Sequence, residues 1–559
     1  MQYDLLLLNI TRYSTNGGWF HEYLGGHIIA SFISQFHFSA KVFSCNVLEC
    51  TPIITQEISQ HGVEILGFYV AADNVVLSSH VMKWVKEKFP SVKIIAGGPE
   101  CYAIGEKFIT ESLCDYIVYG EGEKTVLDIL RYELDGIGSR ENISGIKYMS
   151  SSGKFTVNSP SELIHDLDAI PFPDRNNSLS LDFRTGEAIG ILTGRGCPFH
   201  CGFCFEGSAS KTVRLRSIAN VIAEIESVRK YNPSLKCVNI YDDTFTLSPS
   251  RVRDFCKYMK TIGLLWTCEA HVSVLYHNPE MIRIMADSGL IAVQIGIESG
   301  NKRVLEAYNK NTTPEMIIDI VRMCKSAGVY RVEGNYILGG AFESEETLRD
   351  SINHAKSLIT NGRGIMEINT VFFAPYFGTP VTKNPEHYGI RIDSFRNEHA
   401  AVTMREAVTE SENLIVNQIV RAKEIFEQEI TEHYIAEALR TTKDELIHGT
   451  CQDIPISVSN MHWLRAWRNY PHIADFMEHL SPDEQEISLA KYPIRTLSAY
   501  TIEGDKVSGY GVSLTGDEAR AILFADGRKT VQNLANENEI QPAVFESLNN
   551  KCLVYFSDF

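Results

Sequence analysis

Short apolar runs alternate with longer amphipathic stretches through the first 135 residues of the chain. The segments between the runs, such as 25–35 and 78–89, have the spacing of helices that bury one face. This alternation predicts a doubly wound, Rossmann-like parallel sheet, whose ligands bind beyond the carboxyl ends of the strands. The predicted strands are 3–9, 41–44, 65–70, 93–96 and 116–119.

The same strand-then-helix pattern returns from residue 188 to about residue 380. Its six apolar runs are too few for a closed eight-stranded barrel, so we predict an open, partial (β/α)6 barrel. Parallel barrels keep their chemistry at the mouth formed by the carboxyl ends of the strands. The predicted strands are 188–192, 237–241, 265–270, 292–297, 331–338 and 367–373.

The remaining segments differ in pattern. A hairpin is predicted over 145–157, and the proline-containing stretch 167–174 reads as an extended connector. Residues 390–490 are rich in helix formers, and the sequence WLRAWRNYPH there supplies either a core cluster or the wall of a pocket. We therefore divide the chain into the units 1–140, 141–184, 185–385, 386–505 and 506–559.

The amino-acid composition argues against some classes of function. The 559 residues carry 52 basic and 70 acidic side chains, and a net charge of −18 argues against a broad nucleic-acid-binding face. The arginine-rich segment 211–216 is the best local exception, and it meets either an anionic substrate or water. No run of about 18 apolar residues predicts a membrane span, and MQYDLLLLNI reads as a first strand and not as a signal peptide. The thirteen cysteines, ten of them scattered, show no pairing pattern and favour a reducing cytoplasm.

The sequence GRGCPFHCGFCF, residues 194–205, contains three closely spaced cysteines directly after a predicted strand. Cys197, Cys201 and Cys204 can bind three irons of a four-iron cluster and leave the fourth iron without a protein ligand. A disulfide framework is disfavoured by the odd count. A zinc site with His200 as fourth ligand is the other reading, although the spacing is not the usual paired C-x2-C pattern.

This C-x3-C-x2-C motif, with Phe203 before the last cysteine, resembles that of the radical S-adenosylmethionine (radical SAM) superfamily. The resemblance implies that the three cysteines hold a 4Fe-4S cluster and that Phe203 lies near the adenine of SAM. It also implies that SAM binds the open iron and is cleaved to a 5′-deoxyadenosyl radical. An external one-electron reductant of the flavodoxin or ferredoxin type is then a required partner.

Polar residues close several of the predicted barrel strands. A carboxylate that points into a barrel is costly unless it is paired or meets a ligand, so several of them are candidate ligand contacts. Asp242 in YDDTF either caps the following helix or meets a ligand. By the resemblance these strand ends hold SAM, although the Gly-Gly-Glu triplet of many relatives is absent. The candidates are Asp243, Glu269, Glu298, Ser299 and Gly339.

The first unit has glycine-rich turns, GGPE at 97–100 and YGEGE at 119–123, after its fourth and fifth strands. Such turns also suit a purely structural or regulatory sheet. Followed by the cysteine motif, however, they are similar to the cobalamin-dependent branch of radical SAM enzymes, in which the first unit is the cobalamin-binding domain. Glu100 departs from that branch, where a histidine is frequent. The candidate cobalamin contacts are Asn74, Ser78, Gly97, Gly98, Pro99, Tyr119, Gly120 and Glu121.

The last unit combines helices with a final strand at 553–556, and it resembles a small winged-helix unit that presents peptides to modifying enzymes. Dimerisation or DNA binding are its other readings. The function implied for the whole chain is a cytoplasmic methyltransferase acting on an unactivated carbon of a peptide or small-molecule natural-product intermediate. A cyclisation or rearrangement without methyl transfer is the alternative enzyme, and an iron-sulfur or SAM sensor is the alternative from another class.

Overall fold

The computed structural model describes residues 2–11, 22–111, 113–180, 183–184, 186–206, 211–392, 404, 406–450, 459–479 and 490–557. Two parallel sheets, each covered by helices, form the body of the described chain, and a helical region and a small mixed unit follow. The predicted α/β architecture is confirmed. None of the described helices is long and apolar enough to cross a bilayer.

The first sheet has seven strands in the order β2-β1-β3-β4-β5-β6-β7. The first five are parallel and the last two antiparallel, so the predicted hairpin extends this sheet. The order 2-1-3-4-5 places the switch point between β1 and β3, where doubly wound sheets bind ligands. The strands are β1 Leu5–Thr11, β2 Ala40–Asn46, β3 Ile65–Tyr69, β4 Lys93–Gly97, β5 Tyr116–Val118, β6 Ile146–Met149 and β7 Phe155–Val157.

Helices cover both faces of this sheet. Its inner strands are therefore buried on both sides, and their sequences contain continuous apolar runs such as LLLL. The helix after β2 begins at an asparagine capping box and ends at the left-handed Gly62, two standard helix boundary signals. The helices are α1 Leu24–Ser34, α2 Val47–His61, α3 Val75–Lys88, α4 Glu100–Thr110 and α5 Gly122–Asp135.

The second sheet has six parallel strands in the order β8-β11-β12-β13-β14-β15, as an open barrel requires. Two short strands, β9 and β10, pair antiparallel and flank the cysteine loop, the name we give to residues 194–205. The strands are β8 Ala188–Ile191, β9 Gly194–Arg195, β10 Arg214–Leu215, β11 Cys237–Ile240, β12 Leu265–Ala270, β13 Leu290–Glu298, β14 Arg331–Leu338 and β15 Met366–Phe372. The helices between and after them are α6 Ile218–Tyr231, α7 Pro249–Ile262, α8 Val272–His277, α9 Pro279–Ala286, α10 Lys302–Ala307, α11 Pro314–Ser326, α12 Glu345–Asn361 and α13 Pro380–Lys383.

The connector between the sheets docks on both of them through a fully buried arginine. Arg175 donates to Glu22 at 2.7 Å and to the Gly190 carbonyl oxygen of β8 at 2.6 Å, and it lies 3.4 Å from Glu224. Arg216 donates to the other oxygen of Glu224 at 2.6 Å. This buried network joins the first unit, the connector and the barrel at one point.

The helical region packs on β15, the edge strand of the barrel. Its aromatic cluster belongs to the core, because Trp463 and Trp467 are fully buried and donate to the Met366 carbonyl oxygen and to Thr441, each at 2.9 Å. The elements are β16 Ile390–Ile392, β17 Thr409–Ser411, α14 Val416–Ala438, α15 Lys443–Gly449, α16 Met461–Arg468 and α17 Pro471–Glu478.

The last unit has its own apolar core beneath three helices. The final strand pairs antiparallel with 492–495, so the sheet contacts of this unit begin near Tyr492. The elements are β18 Tyr492–Arg495, β19 Thr501–Glu503, β20 Lys506–Gly509, β21 Val512–Thr515, α18 Gly516–Phe524, α19 Val531–Asn538, α20 Pro542–Asn550 and β22 Val554–Ser557.

Candidate active site

The cysteine loop leaves β8 at the carboxyl edge of the barrel and is held by bonds from distant parts of the chain. The Gly202 amide donates to the Tyr308 carbonyl oxygen at 2.8 Å, and Val381 donates to the Gly202 carbonyl oxygen at 3.1 Å. Asn309 donates to the carbonyl oxygen of His200 at 3.2 Å. The loop therefore has a defined conformation that does not depend on the cysteine side chains alone.

The two aspartates of YDDTF secure the start of the cysteine loop. Asp242 accepts from the amides of Thr193 and Gly194 and from the Thr193 hydroxyl. Asp243 accepts from the Gly196 amide at 3.0 Å, one residue before the first cysteine. Burial raises the pKa of Asp242 to about 6, although these bonds oppose the rise. Asp242 thus neither caps the next helix nor points to a ligand, but positions the loop.

Phe203 and a buried ion pair form the wall beside the last cysteine. The Phe203 ring meets Tyr308 edge to face at 4.9 Å, and the Lys310 ammonium lies 5.8 Å from its centroid. Lys310 pairs with Glu298 at 2.7 Å. Burial opposes the charged form of Lys310, but Glu298 and the neighbouring thiol of Cys201 outweigh it and raise its pKa. A fixed positive charge therefore stands next to the cysteine loop.

Acidic groups gather at the barrel mouth around Glu269. Burial, and then the proximity of Asp243 and Glu333, raises the pKa of Glu269 to about 7. The Glu269 side chain is accessible from outside, but its carboxyl group is crowded by protein, which explains the shift. Glu333 is held by Arg331 at 2.6 Å and by Asn369 at 2.7 Å. A cationic ligand group near Glu269 would relieve this repulsion.

Two further predicted SAM contacts have partners inside the protein. The Ser299 hydroxyl lies 3.1 Å from the Ser351 hydroxyl and accepts from the Asn301 amide, so it joins a strand end to α12. Gly339 has a φ of 82°, donates to the buried Glu343 and accepts from Thr409 at 2.8 Å. Both positions remain predictions as SAM contacts, with a structural role already established for each.

We call residues 71–74, 97–100 and 119–123, at the carboxyl edge of the first sheet, the sheet rim. Gly98 has a φ of 115°, and a Cβ there would lie 2.5 Å from the Val70 carbonyl oxygen, so only glycine fits. Asn74 accepts from the Ala71 amide at 2.8 Å and donates to Asn9 and Tyr69, which fixes its loop. Ser78 is fully buried, and its hydroxyl has no partner among the described residues.

The YGEGE turn of the sheet rim is paired with arginines that flank the cysteine loop. Glu121 accepts from Arg214 at 2.6 and 3.0 Å and lies 3.1 Å from Arg195. Glu123 pairs with Arg195 as well. Burial alone would raise the pKa of Glu121, but the hydrogen bonds from Arg214 and the charge of Arg195 lower it. The turn therefore joins the two units. From the sequence, Glu121 was predicted only as a cobalamin contact, and this second role was not part of the prediction.

The other residues of these turns have varied surroundings. Tyr119 donates to the Asn158 carbonyl oxygen and stacks below the Lys147 ammonium at 5.6 Å. Gly120 has a φ of 86° with open space around its Cα, and Gly97 has room for a Cβ at 3.7 Å from the nearest atom. Arg216, the last residue of the basic segment 211–216, is used in the buried network, so this segment pairs with protein carboxylates.

The sheet rim and the cysteine loop face one another across a cavity of about 1110 Å³, which we call the central cavity. This volume exceeds the range of about 300–1000 Å³ typical of single-ligand pockets. Burial, and then Glu100 of the rim and Cys204 of the loop, raises the pKa of Tyr376 to about 12, so one phenol is near both walls. The lining of the central cavity includes Asp73, Pro99, Glu100, Phe203, Cys204, Glu206, Glu298, Asn335, Phe372 and Tyr376.

The three cysteines fit a cluster better than a single metal ion. Among the residues that the structure describes, no three His, Cys, Asp or Glu side chains converge as ligands of one ion. A four-iron cluster does not require convergence, because each cysteine ligates a separate iron. The three thiols are near neighbours, and burial, opposed by Lys310, raises the pKa of Cys201 to about 11. His200, the alternative zinc ligand, is exposed.

A family model described as the radical SAM superfamily matches residues 191–355. Residues 191–355 form a radical SAM domain. This radical SAM domain implies a 4Fe-4S cluster and SAM as cofactors, in agreement with the cysteine loop.

Curated relatives extend the match beyond that domain. The uncharacterized methyltransferase PH0819 of Pyrococcus horikoshii is 31% identical over 314 residues, which are 55% of this chain and 66% of that protein. The anaerobic magnesium-protoporphyrin IX monomethyl ester cyclase of Rubrivivax gelatinosus is 25% identical over 313 residues, 54% of this chain and 56% of that protein. The chain thus spans between half and two thirds of the length of these relatives.

Solved structures share the fold of this chain. The radical SAM methyltransferase TsrM from Kitasatospora setae aligns with a TM-score of 0.58 and 15% identity, over 70% of this chain and 78% of TsrM. The cobalamin-dependent radical SAM enzyme OxsB aligns with a TM-score of 0.62 and 16% identity, over 86% of this chain and 74% of OxsB. Each of these two proteins has a solved structure that contains cobalamin. At this identity the likeness concerns the fold.

Sequence reasoning missed several residues of the site. Lys310 follows no strand and lies in the sequence NKN, where Asn309 and Asn311 adopt left-handed φ values of 54° and 51°. Arg195 lies inside the cysteine motif without being part of its pattern. Tyr376 carries no motif signal, and its place between the two walls depends on the packing of a loop. Only the NKN sequence offered a signal, since asparagine tolerates left-handed turns.

Proposed function

We propose that this radical SAM enzyme is a cobalamin-dependent methyltransferase that acts on an unactivated carbon of a peptide or natural-product intermediate. The observation that carries the proposal is the central cavity, which has the sheet rim as one wall and the cysteine loop as the other. A reactive carbon intermediate must meet its methyl donor before it reacts elsewhere, so both cofactors have to face one chamber. TsrM and PH0819, which are both named as methyltransferases, support the proposal.

The chain's own residues divide the work between the two walls. Cys197, Cys201 and Cys204 would ligate the cluster, and Asp243 and its neighbour hold the loop that carries them. Phe203, backed by the Lys310–Glu298 pair, offers a flat face beside the last cysteine. Glu269 would receive the amino group of SAM, because Asp243 and Glu333 crowd its carboxyl group and the charge of Lys310 offsets them only in part. When bound, the cofactors supply the carbon radical and the methyl group.

On the other wall, the sheet rim would receive the corrin ring. The turns there bring residues 71–73 and 99–100 to the edge of the cavity, and the left-handed Gly98 lets the GGPE turn pack closely against Val70. Pro99 lines the cavity directly, whereas Asn74 and Ser78 are buried and are not part of the cavity lining. Apolar residues of β15 and the following loop, such as Phe372 and Phe373, close the chamber against water.

The first experiment tests the cofactors. Protein purified without oxygen and reconstituted should hold about four irons per chain and show the visible bands of a bound corrinoid. After reduction with dithionite it should convert SAM to 5′-deoxyadenosine. Cys197→Ala should lose the iron and this conversion, whereas Cys552→Ala, in the last unit, should retain both. Iron without corrinoid, or corrinoid without iron, contradicts the proposal.

The second experiment tests the methyl transfer. Once the substrate is identified, its reaction with SAM that carries a deuterated methyl group should yield a product heavier by the mass of that group. An unlabelled product would instead favour the alternative of cyclisation, which the cyclase name of the Rubrivivax gelatinosus relative supports. Absence of 5′-deoxyadenosine under every reducing condition would favour a sensor. A flavodoxin or ferredoxin as reductant and a cytoplasmic location complete the proposal.

A further inference from the structure

Glu100 of the sheet rim is a buried carboxyl group without a hydrogen-bond donor among the described residues. It opens α4 directly after Gly98 and Pro99, its residue is 6% exposed, and it lines the central cavity. Its electrostatic neighbours are the Cys101 thiol and the Tyr376 phenol. Leaving a buried carboxyl group without a donor is costly, so its position calls for a ligand.

Three other acidic residues that line the central cavity have partners, whereas the partly buried Glu206, like Glu100, has no donor among the described residues. Glu298 pairs with Lys310 at 2.7 Å. Glu427 accepts from Thr370 at 2.7 Å, and Glu424 accepts from Arg421 at 2.7 Å. Glu100 differs from all three in its lack of a donor, and from the exposed Glu424 and Glu427 also in its burial. A purely structural glutamate would be expected to show a partner of this kind.

We propose that Glu100 hydrogen-bonds the bound corrinoid, through a water on cobalt or through an amide on the edge of the ring. This inference rests on the proposed function, because it requires cobalamin on the sheet rim. Both contacts offer a donor to the Glu100 carboxyl group, and a water also accepts from its protonated form. Burial raises the pKa of Glu100 to about 7, so the group has a proton to donate in part of the population near neutral pH. Glu100 is then a corrinoid-binding residue particular to this chain's GGPE turn.

The test compares Glu100→Leu with the control Glu106→Leu on an exposed position of the same helix. In the full chain without corrinoid, Glu100→Leu should raise Tm by about 2 °C or more, because it removes an unsatisfied polar group. Equilibrium dialysis with aquacobalamin should then show a Kd roughly tenfold weaker than in the wild type. Glu106→Leu should change neither quantity, and Glu100→Gln, which keeps an acceptor, should recover most of the affinity.

The visible and EPR spectra of the bound corrinoid separate the two contacts. A changed axial ligand in Glu100→Leu assigns the contact to a cobalt-bound water, and an unchanged spectrum with weaker binding assigns it to a ring amide. Equal Kd values for the two leucine variants would overturn the inference, as would a lower Tm of Glu100→Leu without corrinoid. A wild-type chain that binds no aquacobalamin would instead refute the proposed function.

Discussion

Replacing Arg175 by methionine should destabilise the junction between the two sheets. The arginine side chain has no exposed surface, and its donors serve Glu22, Glu224 and the Gly190 carbonyl oxygen. Removing one partner of a buried ion pair costs about 3–5 kcal/mol, because the remaining charge stays desolvated. We expect the lower end, about 3 kcal/mol, since Glu22 keeps the Gly190 amide at 2.9 Å and Glu224 keeps Arg216 at 2.6 Å.

The pH dependence gives this prediction a second readout. Burial already raises the pKa of Glu22, even though the charge of Arg175 opposes the shift. Without the arginine the pKa of Glu22 rises further, so the cost of Arg175→Met is largest above that pKa. As the pH falls below it, protonation removes the unpaired charge and part of the cost disappears. The difference in Tm between variant and wild type should therefore be larger at pH 8 than at pH 5.

Differential scanning calorimetry of the full chain is the appropriate assay, because a multi-unit protein shows more than one transition. We expect a loss of about 6–12 °C in the transition that contains the junction at pH 8. Arg229→Met, at an exposed position of α6, is the matched control and should shift Tm by less than about 2 °C. Adding Glu22→Gln should cost less than the sum of the two single changes. Equal effects of the Arg175 and Arg229 variants would refute the reasoning.

Three further predictions concern the site and its supports. Gly98→Ala should lower stability by about 2 kcal/mol or more in calorimetry, because its Cβ meets a backbone oxygen at 2.5 Å, whereas Gly97→Ala should fold normally. Burial raises the pKa of Glu343 to about 7, so its charged form costs stability as the pH rises from about 4.5 to 7. Glu343→Gln should therefore compare more favourably with the wild type at pH 8 than at pH 5, and no change with pH would contradict this. Arg195→Met leaves a nearly buried glutamate unpaired and should lower Tm by several degrees, in contrast to Arg253→Met, whose ion pair is exposed.

The strands of the barrel were predictable because each is a short, mostly apolar run between helical stretches. The observed strands Leu265–Ala270 and Arg331–Leu338 have the predicted bounds, and the other four differ by two residues or fewer at either end. A strand that is mostly buried is determined largely by local composition, since most of its positions must be apolar. The cysteine loop was predictable for a related reason, because its three cysteines lie within eight residues of one another.

Positions selected by their place at a strand end were less informative about contacts. Ser299 stays a predicted SAM contact, but the structure also places its hydroxyl beside Ser351, which is 52 residues away. Glu121 was predicted to face cobalamin, and its carboxylate meets Arg214, which is 93 residues away. The strand-end rule correctly locates an edge of the sheet, but a loop residue can face the ligand or a neighbouring loop.

The sequence by itself determined the order of strands and helices, the two-sheet architecture and the loop that carries the cysteines, because these depend on the periodicity and spacing of near neighbours. Only the tertiary structure decided which side chains share the central cavity and which ones join its walls. Lys310 beside Glu298, Arg195 beside Glu123 and Glu100 without a donor are the clearest cases. Each arises where segments from different elements pack together, and the cost of burying a charge depends on the partner that packing supplies.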